Sequence, residues 1–231
     1  MIVTAFYDIY DNPDKLKYYT ALFHDICNSE LPIVVFTDPS LMYLFGTVPD
    51  NVRICPVPLI EFELYSLAMA YKGELPAVRN HAKDTQKFLA LMNTKIEFIM
   101  RAGGGRSDET YIWVDFGILK IIRDRPAFIH KLRIANGSKF DKITIPGYLS
   151  YGCPVDCDNV SWRFCGGILI VPSSSITLFF HKSKHMLTYL CTTQKLTWET
   201  NMWYFMELGG EHANIEWYFG SFNDSILRDF T

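Results

Sequence analysis

The run Tyr111-Ile-Trp-Val-Asp-Phe-Gly-Ile118 constrains this chain more than any other segment. Four β-forming residues in succession, with no polar residue among them, predict a strand covered on both faces. Asp115 then falls where the strand leaves its sheet. Gly117 lets the backbone turn sharply or a ligand come close. Ligands of open α/β sheets collect at the carboxyl ends of strands, so Asp115 is a candidate metal or substrate ligand. On spacing alone, a turn or helix-capping aspartate is an equal alternative.

The segments around this strand repeat its logic. Residues 2–8 read as a first strand, and Pro13-Asp14 opens an amphipathic helix with Leu16, Tyr19, Ala21, Leu22, Phe23 and Ile26 on one side. A second apolar strand over 31–38 ends on Asp38. A short helix over 39–45 and a third strand over 52–57, stopped by prolines, follow. Helices are expected over 60–71 and 83–101, before the Gly103-Gly-Gly-Arg106 loop and the Asp115 strand. Such alternation of apolar strands with helices predicts a mostly parallel sheet flanked by helices on both faces. The second half is expected to hold a helix over 125–135, strands over 142–148 and 162–171, and a long helix capped by Ser173–Ser175. A helix over 198–208 and a strand over 215–220 complete it. No repeat or linker divides the 231 residues, which read as one domain, with residues 1–118 holding a nucleotide and 119–231 completing the site for an acceptor.

Composition narrows the partners. A net charge of −3 with scattered Lys and Arg gives no footprint for nucleic acid. No apolar stretch approaches the roughly 20 residues of a spanning helix. The first residues lack a basic region ahead of an apolar one, so a soluble, cytoplasmic protein in a reducing compartment is expected. Cys27 and Cys55 fit buried thiols. Cys153, Cys157 and Cys165 with His181 and His185 lack the spacing of a zinc finger, and a Cys153–Cys157 disulfide stays open.

Three familiar motifs fail on context. The glycines at 103–105 follow a helix and precede a strand, the reverse of a phosphate-binding loop. Asp115-Phe-Gly117 spells a kinase magnesium triad, but the other kinase signatures are missing. Neither is there a Gly-x-Ser-x-Gly elbow. What remains is a set of polar positions at strand ends. Strand one ends Thr4-Ala5-Phe6-Tyr7-Asp8, and a base or ribose could stack on Phe6 or Tyr7 and bond to Asp38. For Asp38 alone a helix cap is the simpler reading. Gly166-Gly167, paired inside an apolar run, marks close approach of backbone or ligand. Glu199, in Thr197-Trp-Glu-Thr-Asn201, is either a first-turn acid favoured by the helix dipole or a group facing the site. Trp198, Trp203 and Trp217 could stack on a sugar, although aromatics in so aromatic a chain are more often core.

Taken in order, Thr4–Asp8, Pro32-Ile-Val-Val-Phe-Thr-Asp38, Asn93-Thr-Lys95, Tyr111–Gly117, Phe164-Cys-Gly-Gly167, Trp198-Glu-Thr-Asn201 and Trp217-Tyr-Phe-Gly220 resemble the HtrL/YibB-type family of glycosyltransferase-like proteins. They are also similar to small glycosyltransferases of large DNA viruses of algae, which would place the protein in a host cytoplasm. The resemblance implies a GT-A-like nucleotide-binding fold and a nucleotide-sugar donor such as a UDP-sugar. It also implies a glycan or glycoprotein acceptor and a Mn²⁺ or Mg²⁺ ion. The family's Asp-x-Asp signature is present only as Asp115, with Gly117 at its second position. A histidine near the C-terminus often completes the metal shell of such enzymes, and His212 lies in that region, although the Tyr218-Phe-Gly220 turn carries none. A metal on Asp115, assisted by Lys95, would stabilise the charge developing on the leaving diphosphate. Glu199 would act as base in an inverting reaction, or orient a substrate in a retaining one. A non-catalytic sugar-nucleotide or glycan-binding domain is the alternative. A nucleotidyltransferase would need a basic, glycine-rich stretch after strand one, where residues 8–14 are acidic instead.

Overall fold

A computed structural model describes residues 1–103 and 109–230. Seven strands form one sheet in the order β3-β2-β1-β4-β6-β5-β7. They are β1 (Ile2–Phe6), β2 (Ile33–Thr37), β3 (Val52–Pro56), β4 (Thr110–Val114), β5 (Ile143–Gly147), β6 (Ile168–Pro172) and β7 (Ile215–Phe219). All pair in parallel except β6, which runs antiparallel to both β4 and β5. The helices are α1 (Pro13–Cys27), α2 (Glu63–Ala70), α3 (Gln86–Asn93), α4 (Lys95–Gly103), α5 (Arg125–Gly137), α6 (Ser173–Thr193) and α7 (Glu199–Leu208). This is the expected α/β class, a mostly parallel mixed sheet covered on both faces by helices.

Side-chain alternation sorts the core into two layers. Val3, Val34, Tyr111, Trp113 and Leu169 meet residues of α2, α3, α4, α6 and α7, such as Leu64, Leu89, Phe98, Phe179 and Met202. The neighbouring positions Ile2, Ile33, Ile112, Val114 and Ile168 face α1 and α5. Each such side chain, fully buried, contributes about 1.5–3 kcal/mol. Helix α2 has no capping side chain of its own. The buried Glu97 carboxylate on α4 accepts its first amides instead, Glu63 N at 2.9 Å and Leu64 N at 2.8 Å, which locks the two helices together.

Several expected boundaries move, each for a local reason. The helix expected over 83–101 is two helices broken at Thr94. There Asn93 turns its Nδ2 to Leu89 O and to Thr197 O, both at 2.8 Å, tying the break to the segment before α7. The strand expected over 162–171 begins only at Ile168, because Cys165 N bonds Pro146 O and Tyr148 N bonds Trp162 O across an irregular crossing. Gly147 fits that crossing, since a Cβ there would lie 1.8 Å from Arg163 O. Ser173–Ser175 lie inside the first turn of α6 and do not cap it; Pro172 occupies the cap position without a side-chain bond. Cys153 and Cys157 carry free thiols, as do the other four cysteines. The glycine-rich stretch read at 104–106 lies outside the described residues. No helix among the described residues is long and apolar enough to cross a membrane.

Candidate functional site

The chain leaves β1 for α1, β2 and β3 on one side, then returns through α2, α3 and α4 to place β4 on the other side of β1. The carboxyl ends of β1 and β4 therefore diverge at a topological switch point, where open α/β sheets bind ligands. β1 and β4 pair only through Ile2–Ile112 and Val3–Trp113, and beyond that pairing a cleft opens. It encloses about 530 Å³, within the range of small-molecule sites. Its wall combines Ala5 of β1 and Tyr7–Tyr10 after it, Lys15 and Tyr19 of α1, Phe88 of α3, and Asp115–Ile118 after β4.

The period of two along β4 puts Tyr111, Trp113 and Asp115 on the face covered by α4. Lys95, the first residue of α4, extends beneath Asp115 with its side chain 1% exposed. Its ammonium meets three acceptors: Glu199 Oε1 at 2.7 Å, Gly166 O at 2.7 Å and Asp115 Oδ1 at 3.0 Å. Three N–H groups against three acceptors leave none for a ligand. Burial pushes the Lys95 pKa down, but Asp115 and Glu199 outweigh it and hold the ammonium above the ordinary lysine value. Asp115 Oδ1 also accepts Trp113 Nε1–H at 2.7 Å. The carboxylate is thus fixed by two donors while 31% of its side chain stays open to the cleft.

The structure joins Lys95, Asp115, Glu199 and Gly166 in this one cluster. Gly166 admits it: a Cβ there would lie 2.0 Å from Glu199 Oε1 and 3.1 Å from Lys95 Nζ. The close approach marked by the paired glycines is therefore that of Glu199, and at Gly167 that of Ile118 and Ile226. Glu199 sits behind Lys95, 7% exposed, and does not line the cleft. As the first residue of α7, its carboxylate also benefits from the helix dipole. At Gly117 a Cβ would lie 2.5 Å from the Tyr19 ring, so the missing side chain makes room for Tyr19 at the cleft wall.

Other expected site residues lie elsewhere. Asp38 caps the short 3₁₀ helix Pro39–Leu44 through Ser40 N at 2.9 Å and Ser40 Oγ at 2.6 Å, outside the cleft. Thr4 is buried and does not line the cleft, its hydroxyl without a partner among the described residues. Phe6 stacks on Phe116 at 4.2 Å, and Tyr7 on Phe98 with its hydroxyl donating to Val57 O at 2.7 Å. Both rings border the cleft, but their faces are spent on core contacts, and burial raises the Tyr7 pKa. Gly220 follows β7, its N–H donating to Gly147 O at 2.9 Å. His212 precedes β7, and since β7 runs parallel to β4, it lies at the strand end opposite to the one that Asp115 follows. Its ring stands 6.3 Å from that of Tyr151. Trp198 and Trp203 are core.

A divalent cation wants several hard oxygen donors. Asp115 Oδ1 is already taken twice, Gly117 brings no carboxylate, and His212 is not brought to Asp115. No group of three potential ligands is gathered among the described residues. The donor set does not fit a resident metal ion.

The cleft also contains residues that no motif announced. Lys15, Lys83 and Lys120 stand on its rim, with Tyr10, Asn80 and Phe88 between them. Lys15 Nζ lies 4.3 Å from the centre of the Tyr10 ring and Lys83 Nζ 4.8 Å from that of Phe88. Phe222 closes the far side, 5.5 Å from the exposed ring of Trp162. The three lysines come from separate segments, so only folding reveals them as a group.

No family model matches the sequence, and no curated protein matches it. Among solved structures, the 4-diphosphocytidyl-2C-methyl-D-erythritol synthase of Anaerococcus prevotii is similar at a TM-score of 0.44 with 10% identity, over 100% of this chain and 93% of that one. The bifunctional IspDF of Campylobacter jejuni gives 0.41 with 12% identity, over 100% of this chain and 51% of that one. The glycosyltransferase GlyE of Streptococcus pneumoniae gives 0.41 with 8% identity, over 94% and 44%. The chain thus spans about half the length of the last two, and the chemistry of the cleft stands on its own residues.

Proposed function

We propose that the protein is a glycosyltransferase that moves a sugar from a nucleoside-diphosphate donor, a UDP-sugar in the first instance, to a glycan or glycoprotein acceptor. The observation that carries this reading is the Asp115 carboxylate, held rigid by Trp113 and Lys95 at the switch point of the sheet, on the wall of a cleft that is aromatic and rimmed with lysine. Aromatic faces suit a base and sugar rings, and cations suit the diphosphate. A carboxylate locked through one oxygen presents the other as a hydrogen-bond acceptor for a donor-sugar hydroxyl, so Asp115 orients the sugar above the leaving phosphate. Phe222 and Trp162 offer a half-exposed aromatic edge to the acceptor. Glu199, closed behind Lys95, supports the cluster in this reading and is not the base.

The test is a thermal-shift titration with UDP, GDP and their sugars, on wild type and Asp115→Ala, followed by donor turnover with a panel of acceptors. A ligand at about a hundred times its Kd stabilises by roughly 2.7 kcal/mol, which moves Tm by several degrees. One nucleotide series should raise Tm, and its sugar should turn over in wild type far faster than in Asp115→Ala. A binding domain would show the shift without turnover. A melting curve unmoved by every nucleotide would defeat the proposal.

A further inference from the structure

The geometry points to a site that works without a divalent cation: the Lys95 ammonium fills the place of the ion beside Asp115, and Lys15, Lys83 and Lys120 bind the diphosphate of the donor. This inference rests on the nucleoside-diphosphate reading above and deepens it. Both acidic side chains on the cleft wall are already engaged. Asp8 Oδ1 accepts Tyr10 N at 3.2 Å and Asn12 N at 3.3 Å, while Asp115 Oδ1 accepts Trp113 Nε1 and Lys95 Nζ. A metal centred on Asp115 would sit against the ammonium, like charge against like, with Gly117 offering no second carboxylate. Lys95 cannot move aside cheaply, because its other two protons are held by Glu199 and Gly166 O in a buried pocket.

The rim carries the charge that a diphosphate needs. Three lysines stand there against the two aspartates of the wall; Lys83 Nζ also lies 4.0 Å from Oδ1 of the buried Asp84 while its side chain stays 61% exposed, and Lys95 with Glu199 behind the wall adds no net charge. Tyr10 and Phe88 hold two of the ammonium groups at the wall by cation–π contact, so the cations are positioned before a ligand arrives. Ammonium groups bind phosphate as mobile point charges and need no ordered coordination shell.

The test is calorimetric titration of UDP into wild-type protein in EDTA and, separately, in Mn²⁺. The Kd should agree between the two within about threefold, and should weaken with added salt, as exposed ammonium–phosphate pairs are screened. The surface variant Lys15→Ala/Lys83→Ala/Lys120→Ala, which leaves the core untouched, should lose about tenfold or more in affinity in EDTA while keeping its Tm. Binding that appears only with Mn²⁺ would overturn the cation-free site and leave the donor reading standing. Full affinity in the triple-lysine variant would overturn the assignment of the lysines. Absence of UDP binding in both buffers would overturn the assignment of UDP as the donor nucleotide, and with it this inference.

Discussion

Replacement of Lys95 by methionine should be the most damaging single change at the site without a large change of volume. Methionine keeps the aliphatic path from α4 to Asp115 and deletes only the charged tip. Asp115 loses little, because its side chain is 31% exposed and retains Trp113 Nε1. Glu199, 7% exposed, is left as a buried carboxylate without its counter-ion, and Gly166 O loses its donor. Breaking one side of a buried pair in this way costs about 3–5 kcal/mol. For a chain of this size each kcal/mol moves Tm by about 2–4 °C, so a fall of roughly 6–20 °C is expected. Urea unfolding at neutral pH should show a lower midpoint with unchanged m. The double variant Lys95→Met/Glu199→Gln should recover about 1–3 kcal/mol relative to the single one, because the neutral amide has no charge to strand. A Lys95→Met protein within about 1 kcal/mol of wild type, or a double variant no more stable than the single one, would refute the argument that Lys95 is the charged hub of the site.

Other perturbations follow from the same packing. Gly166→Ala should cost about 1–3 kcal/mol in thermal unfolding, because its methyl meets Glu199 Oε1 at 2.0 Å, whereas Gly137→Ala, with nothing within 4 Å, should be neutral or slightly stabilising. Arg163→Met strands Glu207, which Arg163 holds through two bonds of 2.8 and 2.6 Å in the core; a loss of about 3–5 kcal/mol in urea is expected, and a loss under about 1 kcal/mol would contradict it. Burial pushes the Cys27 and Cys165 thiols up to about 12 and Cys191 to about 11, so mass spectrometry after iodoacetamide at pH 8 should find them largely unlabelled in native protein and labelled in urea. Because these folded thiols keep protons that unfolded ones release above pH about 8.5, their contribution to stability should fall as pH rises beyond that point.

Much of this architecture is carried by local pattern. Continuous apolar strands ending on Asp115 and alternating with amphipathic helices specify a parallel-rich sheet, because only strands buried on both faces can be apolar throughout. The same pattern puts Asp115 at a carboxyl edge and marks Gly166 as a place of close approach. Pattern fails where a side chain answers to a distant partner. Asp38 and Asp115 look alike in sequence, each closing an apolar strand, yet one caps the next helical turn and the other lines the cleft. Strand order separates them: β4 joins β1 at the switch point, while β2 is enclosed between β1 and β3. Lys95 and Glu199, 104 positions apart, become an ion pair only when α4 and α7 pack on the same face of the sheet. Lys15, Lys83 and Lys120 form a rim only because three separate connections end beside one cleft. By itself the sequence determined the elements, their faces and the carboxylate, all of which depend on neighbours within a few residues. Tertiary structure alone decided which charges are paired in the interior and which stand exposed at the cleft, since Coulomb interactions depend on distance in space and on burial, neither of which chain separation records.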